Sequence, residues 1–198
     1  AFERRLIVSS IVHAVVYLHG LRIAHRDIKF ENVVLDHTMH ARLVDFGLAY
    51  AYAPDEPDMA ANAAGSKLYA PPEVYQGAHS GFTVDVWSLG VIVFALAMRV
   101  MPFRIANESC ATYVQASQAQ SAGVSPMSSI VGAYEPRLDV VVTPEEHEAI
   151  DAALRIDTQQ RATAAELAKM AFSAVETLDE RTGRSTREDG RLVATNAL

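Results

Sequence analysis

Two short segments hold the residues best equipped for chemistry. One is His25-Arg26-Asp27-Ile28-Lys29-Phe30-Glu31-Asn32; the other is Asp45-Phe46-Gly47, whose aspartate comes eighteen positions after Asp27. They supply the carboxylate, amide and ammonium groups that moving a phosphoryl group from a nucleotide requires. Asp27 can accept a hydroxyl proton. Asn32 and Asp45 offer the oxygen ligands that magnesium prefers. Lys29 can neutralise charge on a transferring phosphate, and Gly47 lets the backbone turn sharply after the Asp45 carboxylate.

Local elements must bring these groups together. From Phe2 to Gly20 apolar residues recur at helical spacing, with Leu6, Ile7, Ile11, Val15 and Leu18 on one face, which predicts a long helix ending at Gly20. Ile23 to Arg26 reads as a short extended piece. Val33-Val34-Leu35 and Ala41-Arg42-Leu43-Val44, separated by a polar turn, read as a hairpin. That hairpin places Asn32 before one strand and Asp45 after the other, so that the two meet in space. Tyr50 to Gly65 carries Pro54, Asp55, Glu56, Pro57 and Asp58 and reads as a mobile loop. Asp85 to Met98 is apolar on all sides, as expected of a helix enclosed by protein, with Pro102 as its stop. Helices are expected over Glu145–Leu154 and Ala162–Ala174, the second opened by a capping box of Thr163 and Glu166. One weak helix and a loop are expected within Asn107–Leu138. The fold class is thus mostly α with a small β component (α+β). Residues 1–175 form one domain, and 176–198 read as a polar, disordered tail or linker.

Composition excludes several function classes. The 198 residues are 50% hydrophobic, enough for one sizeable core. A formal charge of -7 argues against a nucleic-acid binder, which needs a basic face. The single cysteine, Cys110, rules out an internal disulfide and a thiolate zinc cluster, and fits an intracellular, cytoplasmic setting with the nucleus as another possibility. The longest purely apolar run, Val91 to Met98, is too short to span a bilayer, so no membrane segment is expected. His13, His37, His40 and His79 show no metal-binding spacing.

The order and spacing of the two chemical segments resemble the catalytic and metal loops of the protein kinases. Further landmarks extend the resemblance from about Phe2 to Ala174. Gly65-Ser66-Lys67-Leu68-Tyr69-Ala70-Pro71-Pro72-Glu73 is similar to the family's substrate-docking loop. Asp85-Val86-Trp87-Ser88-Leu89-Gly90 is similar to the start of its central buried helix, and Met101-Pro102-Phe103 to the turn after it. The resemblance implies the larger, C-terminal lobe of the kinase fold and ATP with Mg2+ as cofactors. It makes Asp27 the group that orients the substrate hydroxyl and takes its proton, with Lys29 at the γ-phosphate. Asn32 and Asp45 become metal ligands, and Val34 lies beneath the adenine ring. Ser66 would hydrogen-bond Asp27 and Lys29. Asp85 would accept backbone hydrogen bonds from the catalytic loop, Glu73 and Arg161 would form a buried pair, and His25 and Phe46 would pack. Lys29 and Ser66 together imply serine/threonine rather than tyrosine substrates. The docking-loop string leans toward the calmodulin-dependent and AMP-activated kinases.

The sequence also departs from the family pattern. Pro71 replaces an alanine, Thr158 a common proline, and Ala95 a frequent glutamate that serves basic substrates. Arg26 would receive a phosphorylated side chain, yet no Ser or Thr lies between Phe46 and Gly65. Asp55, Glu56 or Asp58 is therefore expected to supply the anion. The chain contains no Gly-x-Gly-x-x-Gly lid and no Val-Ala-x-Lys strand, and Ala1 stands where an initiator methionine would. These features lead to the expectation that the smaller lobe lies upstream in a longer protein, that the interlobe face including Val34 is exposed, and that these residues alone are inactive. The expected partners are ATP and protein substrates. The rival reading is a non-catalytic truncated kinase that acts as a docking or regulatory module.

Overall fold

The computed structural model describes residues 2–60, 65–132 and 142–171, together with short strands at 177–179 and 184–186. The order begins with α1 (Phe2–Gly20), β1 (Ile23–Ala24), a 3₁₀ turn (Phe30–Asn32), β2 (Val33–Leu35) and β3 (Ala41–Leu43). It continues with β4 (Tyr50–Ala51), β5 (Met59–Ala60), a second 3₁₀ turn (Pro72–Tyr75) and β6 (His79–Ser80). The helices α2 (Gly81–Met98), α3 (Ala111–Ser121), α4 (Pro126–Val131), α5 (Pro144–Ala153) and α6 (Ala164–Ala171) follow. The expected α+β class is what the structure shows: helices with small two-stranded antiparallel sheets.

The core forms around α2. Its residues 84–94 are buried without interruption, and Trp87, Leu89, Ile92 and Phe94 are among the largest fully enclosed side chains. No polar face exists because protein surrounds the helix: α1 packs on one side and α5 on another. Gly90 permits the closest approach, since a Cβ there would lie 2.7 Å from the Ala153 Cβ and 2.8 Å from a Leu154 methyl. Among the described residues α2 is the one helix long and apolar enough to cross a membrane, but 78% of it is buried inside the protein. Cys110 is buried at the start of α3.

Several boundaries differ from the sequence reading. Helix α2 begins at Gly81, four residues before Asp85, because Ser80 still has extended backbone and Gly81 to Val84 add a first turn without apolar periodicity. It ends at Met98 as expected, but the stop is Arg99 and not Pro102: Arg99 turns left-handed (φ 55°) and its N–H donates to Ala95 O at 2.9 Å. The region after Asn107 holds two helices, α3 and α4, instead of one. The second starts at Pro126 behind Ser125, whose hydroxyl caps Ser128 N; residues 133–138 of that stretch lie outside those described. Thr163 and Glu166 do form the expected capping box (3.2 and 2.7 Å). An equivalent box of Thr143 and Glu146 opens α5 and also holds Arg4 of α1.

The expected mobile loop 50–65 is partly tied down. Ile23↔Ala51 and Ala24↔Tyr50 pair antiparallel, as do Met59↔Ser80 and Ala60↔His79. Tyr52 is buried, its ring against Phe82 (5.2 Å) and Tyr50 (4.8 Å). Arg22 donates to Ala53 O and Glu56 O. Aromatic burial and backbone pairing thus anchor a segment that composition alone marks as a loop; residues 61–64 are outside the described set. Most of 176–198 also lies outside it, the exceptions being the antiparallel strands β7 (Thr177–Asp179) and β8 (Arg184–Thr186).

Candidate active site

The catalytic segment hangs between β1 and the first 3₁₀ turn, and a single buried carboxylate holds it. Asp85, fully enclosed on α2, accepts His25 N–H and Arg26 N–H, each at 2.7 Å. His19 at the end of α1 adds Nε2 at 3.0 Å, its ring tilted against Phe82. Arg26 adopts left-handed backbone (φ 66°), a conformation that costs a non-glycine residue about 1–3 kcal/mol unless its surroundings impose it. The paired N–H contacts with Asp85 supply that constraint. The sequence reading missed His19; its position in the last helical turn before the segment was the available signal.

Asp27 lies in a ring of donors. Lys29 Nζ stands 2.6 Å from its Oδ2, Ser66 Oγ donates to Oδ1 at 3.1 Å, and Asn32 Nδ2 donates to Oδ2 at 3.1 Å and to the Asp27 carbonyl at 2.9 Å. Lys29 Nζ also reaches Ser66 Oγ at 3.1 Å. Burial pushes the Asp27 carboxyl up, but hydrogen bonds from Lys29, Ser66 and Asn32, together with the Lys29 charge, outweigh it and hold Asp27 below its ordinary value of 3.8. Lys29 moves above 10.5, first through its bond to Asp27, with Glu31 and Asp45 adding favourable field. At neutral pH this is a carboxylate–ammonium pair fixed by neutral donors.

Gly65 lets Ser66 reach this ring. Its φ is +93°, and a Cβ there would sit 2.6 Å from Arg26 O. The docking loop therefore lies directly on the backbone of the catalytic segment.

Asp45 arrives by the hairpin the sequence suggested. The register is Val33↔Leu43, Val34↔Arg42 and Leu35↔Ala41, and Val44 N–H donates to Asn32 O at 2.9 Å. On Asp45's other side, the Phe46 ring packs on His25 at 4.9 Å. His25 is fully buried, with Nε2 3.2 Å from Val44 O, whereas Phe46 remains 49% exposed. The sharp turn expected at Gly47 sits instead on Asp45 itself (φ 61°). Gly47 donates its N–H to Asp45 Oδ1 at 3.2 Å, and a Cβ at Gly47 would press on that oxygen at 3.1 Å.

The donor set suits a hard cation. Among the described residues, Asn32 spends its amide N–H groups on Asp27 and its carbonyl oxygen meets no hydrogen-bond donor, while exposed Asp45 accepts only Gly47 N–H. Magnesium characteristically takes one or two protein oxygens and completes its shell with phosphates and water. Among the described residues no cluster of three or more His, Cys, Asp or Glu side chains could hold a metal. Val34, Leu35, Val44 and Leu48 are all exposed, so Val34 is open to solvent as expected.

The remaining expected residues lie below the site. Arg161 binds Glu73 in bidentate fashion, donates to Thr83 O (3.0 Å) and Arg155 O (2.9 Å), and lies 4.9 Å over the Trp87 ring. Two of the three acids expected to serve Arg26 are engaged elsewhere. Glu56 accepts from Tyr50 Oη (2.7 Å) and Ala53 N–H (3.0 Å), and Asp58 accepts from Ser80 (3.0 Å).

A family profile described as "Protein kinase domain" matches residues 2–173. The chain belongs to the protein kinase family. Among curated relatives, 3-phosphoinositide-dependent protein kinase 1 of Rattus norvegicus is 39% identical over 105 residues, 52% of this chain and 19% of the relative. Serine/threonine-protein kinase SIK1 of Mus musculus is 45% identical over 95 residues, 48% of this chain and 12% of the relative. Cell cycle serine/threonine-protein kinase CDC5/MSD2 of Saccharomyces cerevisiae (strain ATCC 204508 / S288c) is 39% identical over 104 residues, 52% of this chain and 15% of the relative. The chain thus spans less than a fifth of the length of these relatives.

Proposed function

We propose that this chain carries the catalytic and metal loops of a serine/threonine protein kinase, which transfers the γ-phosphate of ATP to protein hydroxyls. The observation that carries the reading is the Asp27 carboxylate, fixed by Lys29, Ser66 and Asn32. Kept ionised, Asp27 orients a substrate hydroxyl and receives its proton at a carboxylate oxygen. Lys29, already bridging Asp27 and Ser66, places a positive charge where the acceptor oxygen meets the phosphate. Asn32 and Asp45 would hold magnesium, which would neutralise the phosphate charge. The setting is cytoplasmic.

The test uses the whole protein that contains this chain, purified with ATP, magnesium and a serine- or threonine-bearing protein substrate. Asp27→Asn is expected to remove turnover by about 10²–10⁴-fold, the usual contribution of a positioned acid–base group. Turnover unchanged by that substitution would reject the assignment. The 198 residues alone are expected to turn over little, because their sequence contains no glycine-rich phosphate lid.

The exposed Val34 and Val44 favour a second reading, a docking module that binds a partner through apolar surface near the hairpin. Whole protein that never phosphorylates, but retains a partner lost on Val34→Asp, would support it.

A further inference from the structure

A cleft of about 740 Å³ lies apart from the catalytic ring, and none of Asp27, Lys29, Asn32, Asp45 and Ser66 lines it. Three separate segments wall it. The second 3₁₀ turn supplies Pro72 and Tyr75, the turn before α3 supplies Asn107 and Glu108, and α3 supplies Tyr113 and Gln118. The volume lies within the range of about 300–1,000 Å³ of sites that enclose small molecules.

The wall is one-sided in charge. Among the described residues that line it, Glu108 is the one charged side chain, and no Lys, Arg or His is present. Glu108 is exposed and forms no hydrogen bond or ion pair with the described residues. The Tyr75 hydroxyl and the Gln118 amide likewise have no hydrogen-bond partner among them. Tyr113, by contrast, is buried and fixed by packing. Its ring stands edge-on to Phe103 at 5.5 Å, and Phe103 stacks on Trp87 at 6.1 Å. Burial pushes the Tyr113 hydroxyl above its ordinary value of 10.0, and the nearby Glu73 and Glu108 charges add to it. The carboxylate thus stands close to a rigid aromatic wall.

We propose that this cleft binds a small organic ammonium ion with a flat apolar body. The Glu108 carboxylate and the Gln118 amide oxygen accept its N–H groups, the Tyr75 and Tyr113 rings meet its charge, and Pro72, Val114 and Ile156 take its apolar part. An anion would meet the Glu108 charge, and a neutral molecule would desolvate that carboxylate without a counter-charge. The formal charge of -7 adds long-range attraction for cations. A bound ion would tie the turn that carries Glu73 to α3. The proposal does not rest on the kinase reading, because the cleft uses none of the residues assigned to phosphoryl transfer.

The test titrates benzylammonium, benzyl alcohol and benzoate, which share one ring and differ in charge, into the whole protein that contains this chain. Binding is read by NMR from the ligand and from the tyrosine rings. Benzylammonium is expected to bind about three- to thirtyfold more tightly than benzyl alcohol, the combined size of an exposed ion pair and a cation–π contact. Benzoate should bind most weakly, and the Tyr75 and Tyr113 ring signals should shift with benzylammonium. Glu108→Gln should remove up to about fivefold of the preference for benzylammonium. Tyr75→Leu, which keeps apolar area but removes the ring, should remove about two- to fivefold. Both residues are exposed, and an unchanged melting midpoint shows that each variant is folded. Equal binding of benzylammonium and benzyl alcohol, or a preference unaltered in both variants, would overturn the proposal. So would a blocked tripeptide with a central lysine that binds more tightly than benzylammonium through the same two residues, since the cleft would then be a protein-docking surface.

Discussion

Asp85→Asn probes how the catalytic segment is held. The two side chains have the same shape, so packing around the central helix is preserved. In the wild type, Oδ1 and Oδ2 each accept a backbone N–H at 2.7 Å, and Oδ2 also meets His19 at 3.0 Å. An amide can present one oxygen only. Its NH₂ group must face either Arg26 N–H or His25 N–H, donor against donor, inside a fully enclosed site. Losing one backbone bond to a charged acceptor costs about 1.5–3 kcal/mol, and making the surviving bond neutral costs about a further 1 kcal/mol. The expected loss is roughly 2.5–4 kcal/mol. At about 2–4 °C per kcal/mol for a chain of this size, the melting midpoint should fall by roughly 5–16 °C. Urea titration should show a lower midpoint at unchanged slope. Hydrogen exchange should accelerate at the amides of His25 and Arg26 ahead of those in α2, because the left-handed backbone of Arg26 has lost its restraint. A loss under about 1 kcal/mol, the ordinary size of a surface substitution, would refute the idea that this carboxylate anchors the segment.

Arg161→Met should cost about 3–5 kcal/mol in urea unfolding by stranding Glu73, and adding Glu73→Gln should recover part of it; strict additivity of the two would show that the pair is uncoupled. Lys29→Met should let the Asp27 carboxyl rise toward 3.8, as read by its carbon chemical shift across pH. Because Asp27 is lowered in the folded chain, its contribution to stability is present above its unfolded value and is lost as pH falls through the folded one. The Lys29→Met chain should therefore lose less stability than wild type as pH drops below about 4, and equal losses would count against the pairing. Gly65→Ala should cost about 1–3 kcal/mol from backbone strain at φ +93° and, by pushing on Arg26 O, should lengthen the Ser66–Asp27 contact; a crystal structure with that contact at its present 3.1 Å would contradict this.

Much of this was legible because the deciding signals are local. The hairpin could be read from Val33-Val34-Leu35, Ala41-Arg42-Leu43-Val44 and the polar turn between them, and it brings Val44, next to Asp45, onto Asn32. Helix α1 was legible from its spacing, and the α6 cap from Thr163 and Glu166. What escaped was set by contacts between distant segments. The loop after Tyr50 looks free in composition, yet Tyr52 is buried and its neighbours pair with β1. Stretch 107–132 is rich in Ser, Ala, Gln and Gly, but Tyr113, Met127 and Ile130 reach the core and make two helices where one was expected. The turn at the metal loop was assigned to glycine on propensity, whereas the backbone places the left-handed residue at Asp45.

The site divides into two parts with different physical status. The proton-accepting part is self-contained: Asp27, Lys29, Asn32 and Ser66 satisfy one another, and Asp85 below them holds the backbone. Its geometry needs nothing from outside the described residues, because every charge already has a counter-charge or a donor. The nucleotide-facing part is the opposite. Among the described residues Asn32 keeps an oxygen without a donor, Asp45 is exposed, and Val34, Leu35 and Leu48 offer apolar surface to water. Uncovered apolar surface is stable only at a cost, which a flat apolar ligand held beside a cation would relieve. The arrangement therefore favours a protein in which the acceptor side is prebuilt while the phosphate side is completed on binding. Substitutions at Asp85 or Gly65 should accordingly disturb stability even without nucleotide, and substitutions at Asp45 or Val34 should leave stability near wild type while weakening nucleotide-dependent events. An Asp45→Asn chain that melted as early as Asp85→Asn would break that division.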